Sequence, residues 1–242
     1  MSKRDLRYLL LTVSASVLTG IFVFVGIRDI NPIILGDEYI YAFNSKNFEF
    51  FASSPLGNYS NPLYELAYSA VGVCGSQFYT CAKTLNLVFL TIFISTLIYC
   101  LRSVLPMWVA PLLAASLTLS PVQVYASMFL PESMMFASIS TVMALFLFAQ
   151  KQLSMWPWVI LGFAIAASAS IKPHAIMFAV AIGIYLLFAR ARAFQSLRDR
   201  VYRIATLVGV AIGTRLALGF ILSGPGGVDF LGRYVNESTT DK

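Results

Sequence analysis

YLLLTVSASVLTGIFVFVGI, residues Tyr8–Ile27, runs for twenty positions without a charge. A helix of that length, at ~1.5 Å per residue, crosses a hydrocarbon core of ~30 Å. The pattern then recurs along the chain. Thr84–Leu101, Ser103–Pro131, Ser133–Gln150, Gln152–Ile171 and Pro173–Ala189 are further stretches without an acidic residue, lysine or arginine, and Ile204–Leu222 is interrupted only by Arg215. The whole chain of 242 residues is 58% hydrophobic and 12% charged. Soluble domains carry about 25% charge, so the solvent this composition suits is a bilayer. The sequence therefore predicts an all-α integral membrane protein of about seven transmembrane helices.

Lys3, Arg4 and Arg7 precede the first span, as in a secretory signal. Its apolar run exceeds the ~7–15 residues of a signal core and no A-x-A site follows, so it reads as a retained anchor. With the N-terminus in the cytoplasm, Arg102, Lys151, Arg190, Arg192, Arg198, Arg200 and Arg203 fall on the same inner side. Lysine and arginine close to span ends on the cytoplasmic side set orientation in a plasma or inner membrane. The formal net charge of +6 is thus a topology signal. Contact with anionic lipid is secondary, and nucleic acid is not an expected partner.

Acidic residues divide the other way. Asp29, Asp37, Glu38, Glu49, Glu65, Glu132, Asp229, Glu237 and Asp241 fall outside, and only Asp5 and Asp199 inside. Because acidic residues contribute little to orientation, this bias calls for another cause, and chemistry on the outer face supplies one. The outer loop 28–83 is far longer than the other connections, and long loops are usually functional. Asp37 suits a helix start, with Tyr39–Phe50 as a short interfacial helix, Ser53–Pro62 as a turn, and Leu63–Val73 as a second interfacial or re-entrant helix. Residues 1–222 form the membrane module and 223–242 an outer tail.

Each candidate residue has a structural and a chemical reading. Asp37 and Glu38, in "PIILGDEYIYAFNSKNFEF", can satisfy the orphan amides of a helix start. Two adjacent carboxylates at a membrane boundary also suit a general base in partly dehydrated surroundings. Glu132, in "FLPESMMF", either opens its span as a cap or reaches the long loop to hold an acceptor or Asp37. Lys172, in "SIKPHAIM", either snorkels to the headgroups or holds a phosphate, with His174 beside it. Arg215, within the last span, needs a partner, for which Asp229 or a bound phosphate serves.

Cys74 and Cys81 are expected outside, where a disulfide is permitted. Seven residues along one helix is too far to bridge, so a bond there needs the turn at Gly75. Asn58-Tyr59-Ser60 and Asn236-Glu237-Ser238 match the glycosylation pattern. His174 is the only histidine, which excludes a histidine metal cluster. The chain has no Walker A loop, GxGxxG turn, CxxC or GxSxG, so nucleotide binding is unsupported.

Taken together, "GDEYIYAFNSKNF" and "NPLYELAYSAVGVCGSQFYTCAKTLNLVF" resemble the start of the GT-C superfamily of membrane glycosyltransferases. The similarity is closest to its protein-O-mannosyltransferase and lipid A aminoarabinose-transferase branch. Lys83-Thr84-Leu85-Asn86 resembles that family's Arg/Lys-x-Leu-Asn stretch. "SPVQVYASMFLPESMMFASISTVMALFLF" resembles the segment where a second acidic residue opens span four, and "VILGFAIAASASIKPHAIMFAVAIGIYLLF" the span ending in Arg/Lys-Pro. These motifs cover about Arg7–Arg190 in the family's order. The resemblance implies a polyprenyl-phosphate-linked sugar as donor, transferred with inversion on the outer face. Asp37 would be the base, Glu38 and Glu132 would position acceptor or donor, and Lys172 would help hold the lipid phosphate. No cofactor is implied and a divalent metal is not expected, although the three carboxylates could form an oxygen site.

Family members usually continue through further spans, so a partner subunit supplying C-terminal spans is a second expectation, with a truncated, non-catalytic relative as the alternative reading. A flippase of lipid-linked saccharide is another. It would carry an inverted repeat, which the chain lacks.

Overall fold

The computed structural model describes residues 3–27, 36–52, 61–102, 104–119, 123–188 and 196–228. Asp29, Asn58, Arg190, Arg192, Asp229, Asn236, Glu237 and Asp241 lie outside them, as do most of the expected turn 53–62 and of the C-terminal tail. Among the described residues the chain is all helical, with no strand. The helices are α1 (Lys3–Ile27), α2 (Gly36–Lys46), α3 (Pro62–Ser69), α4 (Phe78–Leu101), α5 (Val109–Leu117), α6 (Gln123–Ser127), α7 (Glu132–Ala149), α8 (Trp156–Ala169), α9 (Met177–Phe188) and α10 (Leu197–Ser223). Short 3₁₀ segments at Ala70–Gln77, Pro173–Ile176 and Gly224–Val228 join or extend them.

Four of these runs are long and apolar enough to cross a membrane: Leu6–Ile27, Pro62–Leu101, Glu132–Ala149 and Leu197–Ser223. Trp156–Ala169 and Pro173–Phe188 are apolar but shorter. From the sequence, the uncharged stretch Ser103–Pro131 carries a span that gives way to an outer loop around Ser120–Pro131, with a bent helical piece between Pro121 and Pro131. Among the described residues it is not one helix. It contains α5, of nine residues, and α6, of five. Pro106, Pro111, Pro121 and Pro131 punctuate it, and proline removes a helical hydrogen-bond donor and disfavours helix at the residue before it.

The chain divides into two compact units. The first is Met1–Ala42 with Ala70–Ala144, the second Phe43–Ser69 with Leu145–Lys242. In the first, α4 buries Phe78, Ala82, Asn86, Leu90, Ile94 and Ile98, a four-residue spacing that places all six on one helix face. Val23 and Ile27 of α1, Ala110 and Ala114 of α5, and Ala126 of α6 pack on that face. Polar seams cross the apolar contact. The Ser16 and Ser95 hydroxyls lie 3.0 Å apart, Thr96 meets Ser140, and Tyr8 Oη donates to the Ile98 carbonyl at 2.8 Å. Hydrogen bonds of this kind and close backbone approach hold helices together where lipid offers no hydrophobic drive.

In the second unit α10 is the spine, burying Arg203, Leu207, Ala211, Arg215 and Gly219 at the same spacing. It packs on α8 at Gly162, where an added Cβ would lie 2.9 Å from Val210 Cβ. The Leu63 amide donates to the Ser170 carbonyl at 3.0 Å, which brings the start of α3 to the end of α8.

Candidate functional site

Helix α2 begins at Gly36, so Asp37 and Glu38 occupy its first turn, where free amides and the helix dipole favour carboxylates. The two side chains then separate. Asp37 is exposed, whereas Glu38 is 1% exposed and its Oε1 accepts the Phe129 backbone N–H at 2.7 Å. Phe129 stands three residues before Glu132, the half-buried first residue of α7. The first unit thus holds Asp37, Glu38 and Glu132, with Glu38 tied to the chain that leads into Glu132.

That segment is fixed from a second direction. Asn86 of α4, 1% exposed, donates Nδ2 to the Ala126 carbonyl at 3.2 Å and the Met128 carbonyl at 2.9 Å. Residues 126–129 therefore have carbonyls held by one side chain and an amide held by another. Phe129 also stacks on Phe78, with ring centres 5.2 Å apart, and meets the edge of Tyr79 at 6.0 Å. Lys83 Nζ donates to the Ile27 carbonyl at 3.2 Å, a cation at the negative end of α1. Tyr79, Ala82, Lys83, Ser127, Met128 and Phe129 line a shallow hollow that encloses no water-sized space.

The remaining candidates belong to the second unit. Lys172 is half-buried and extended, with φ −142° and ψ 122°, directly before the 3₁₀ segment Pro173–Ile176. His174 is exposed beside it. Arg215 is 2% exposed and its Nη1 donates to the Gly227 carbonyl at 3.0 Å. Asp229, its expected partner, lies outside the described residues. Among the described residues no three His, Cys, Asp or Glu side chains group as a metal site.

Cys74 and Cys81 form a disulfide, with Cα atoms 6.5 Å apart. The bond closes because Gly75, at φ +53°, breaks the helical path between them. Only glycine enters that region without a steric cost.

Three buried polar contacts were not read from the sequence as such. Asn86 is one, although its place on the buried face of α4 was a signal. Glu65, 2% exposed, accepts from Asn44 Nδ2 at 3.2 Å in the second unit. Arg203, taken only as an orientation charge, is 2% exposed: Nε pairs with Asp199 at 3.0 Å, Nη1 donates to the Gln152 carbonyl at 3.2 Å and Nη2 to the Leu153 carbonyl at 2.9 Å. The i, i+4 spacing of Asp199 and Arg203 signalled the ion pair, and nothing local signalled the loop carbonyls. Compared with protein-family models, curated proteins and solved structures, the chain matches none.

Proposed function

We propose that the chain is a membrane glycosyltransferase that moves a sugar from a polyprenyl-phosphate donor to an acceptor hydroxyl on the outer face of a plasma or inner membrane. The observation that carries the reading is the division of labour in the first turn of α2. Glu38 is buried and bound to the Phe129 amide, which orients the turn, and Asp37 is left exposed beside it. A base needs both features, a fixed backbone and an accessible carboxylate.

In the proposed reaction Asp37 takes the proton of the acceptor hydroxyl. The acceptor oxygen attacks the anomeric carbon, the bond from that carbon to the phosphate oxygen breaks, and the polyprenyl phosphate leaves with the electron pair. Glu132 positions the reactants, and the buried Glu38 positions the turn that carries Asp37. On the sequence resemblance alone, Lys172, with His174 beside it, is assigned to the phosphate, where positive charge stabilises the leaving group; Arg215 is buried against the Gly227 carbonyl. The full topology belongs to the same proposal. It has seven crossings, a cytoplasmic N-terminus, and outer placement of the loop 28–83 and the C-terminal tail. The Cys74–Cys81 disulfide supports the outer assignment, since disulfides persist in oxidising compartments.

The test is transfer of radiolabelled sugar from a panel of polyprenyl-phosphate donors in membranes containing the wild type or Asp37→Asn. Transfer by the wild type with at least a hundredfold loss in the variant is expected, in line with removal of a general base at ~10²–10⁴-fold. Equal transfer by both removes Asp37 as the base. Absence of transfer in either overturns the autonomous enzyme and leaves a relative that works only with a partner subunit.

A further inference from the structure

The first turns of α10 carry a feature that sugar transfer does not use. α10 is a candidate membrane helix, yet it opens with Leu197-Arg198-Asp199-Arg200. Ser196 caps it, its Oγ accepting the Asp199 amide at 3.1 Å. Arg198 is exposed. Its guanidinium lies over the Tyr202 ring, 5.4 Å from the centre, and Nη2 donates to Tyr202 Oη at 3.3 Å. Arg200 is anchored by one arm, Nη1 to the Leu187 carbonyl at 3.1 Å, which ties it to the last turn of α9. Its Nε is buried and meets no acceptor among the described residues. The Asp199 carboxylate is engaged by Arg203, so it does not balance the charge of Arg198 and Arg200.

Around these arginines the surface is apolar and open. Leu197 is 68% exposed, and Val201, one turn on, and Tyr202 are also exposed. Phe188 follows the Leu187 that Arg200 binds, and is exposed as well. Through Arg203 the backbone of Gln152 and Leu153 is fastened to the same end of the unit, next to the exposed Lys151. Guanidinium groups among exposed leucine, valine and aromatic side chains, at the end of a membrane helix, match a ligand with an anionic head and an apolar tail. A soluble anion has no use for the apolar flank, and a neutral lipid has none for the uncompensated charge.

We propose that Arg198 holds the phosphate of an anionic phospholipid whose acyl chain lies along Leu197 and Val201, while Arg200, on another face of the same turn, adds positive charge. Arginine suits the task because its planar fork binds phosphate oxygens in pairs. Tyr202 braces the Arg198 fork, and the Leu187 carbonyl anchors Arg200. The N-terminal end of the α10 dipole adds to the attraction. The site stands independently of the glycosyltransferase reading.

The experiment uses the full chain in detergent micelles with equal amounts of phosphatidylglycerol and phosphatidylcholine, and counts retained lipid by native mass spectrometry. The wild type is expected to retain phosphatidylglycerol at least fivefold over phosphatidylcholine. Arg198→Gln with Arg200→Gln should bring that ratio to within twofold of one, and Arg198→Lys, which keeps the charge and loses the planar fork, should give a ratio between the two. Because Arg200 also holds the Leu187 carbonyl, Arg198→Gln alone serves as a variant that leaves the packing intact; it should at least halve the ratio. A wild-type ratio near one, or a ratio unchanged in Arg198→Gln and in the double variant, overturns the site.

Discussion

A carboxylate withdrawn from water must be offered something in return, and Glu38 receives the Phe129 amide at 2.7 Å. That bond makes the acceptor oxygen, and not the charge, the local structural requirement. Glu38→Gln keeps an oxygen at the same place and should change stability by less than about 1 kcal/mol, whereas Glu38→Leu leaves a buried N–H unmet and should cost about 1–3 kcal/mol. Chemical denaturation of the purified variants in one detergent reads the difference, and equal costs would show that the charge itself is what the site needs. Arg203 is the corresponding residue of the second unit. It holds a carboxylate and two loop carbonyls, so Arg203→Met should destabilise by about 3 kcal/mol, and Arg203→Lys, which cannot span all three, by nearly as much. Full retention of the wild-type melting temperature in Arg203→Lys would reduce Arg203 to a point charge. From sequence, Asp37 and Glu132 are legible as helix-opening carboxylates, because capping is a local rule. The Glu38–Phe129 bond is not, since its partners stand 91 positions apart and an amide has no signature in the side-chain alphabet.

Hydropathy sees composition, and elements are made of hydrogen bonds. That is why the uncharged run from Ser103 to the loop at Ser120 reads as a span while its described part forms only the nine-residue α5, and why α10 extends two turns before the apolar stretch Ile204–Leu222. The first case turns on prolines that no charge count detects. In the second, Ser196 caps the helix and Arg203 is neutralised inside the fold, so basic residues join a helix that an apolar window excludes. The disulfide is better placed, because its requirement was geometric: two cysteines seven apart need a break, and Gly75 provides it. Closing so short a loop should stabilise by about 2–3 kcal/mol through the unfolded state, and Cys74→Ser with Cys81→Ser should lower stability by that amount. Thermal unfolding with and without reductant checks it, since reductant should lower the wild type and leave the double variant where it is. Gly162 makes a second prediction at this scale. A Cβ there meets Val210 Cβ and the Leu207 carbonyl, so Gly162→Val must push α8 from α10 and should cost about 1–3 kcal/mol. No loss of melting temperature in that variant would show that the contact is loose.

The proposed direction of the chain through a bilayer rests on the helix ends. Lys3, Arg4 and Arg7 stand at the start of α1 and Arg102 just beyond α4, whereas Lys151 follows α7 and Arg198 and Arg200 open α10. In the proposed topology, with basic ends on the cytoplasmic side, α1 would run outward and α4 and α7 inward. Two successive long helices, α4 and α7, would then run the same way, and the proposed topology needs the chain between them to return across the membrane. Yet α5 spans only about 14 Å, less than half of the hydrocarbon core. The proposed function depends on this return, because it puts Glu132 on the face where Asp37 is assigned. Single cysteines decide it. In a Cys100→Ser chain with the Cys74–Cys81 disulfide intact, Val104→Cys and Val124→Cys place thiols at exposed positions on either side of α5. A membrane-impermeant maleimide should label Val124→Cys in intact cells and Val104→Cys only after permeabilisation. If both are labelled from the same side, residues 104–131 do not cross. Glu132 would then face the side of Arg102, and a shared acidic site at the outer boundary would be ruled out with it.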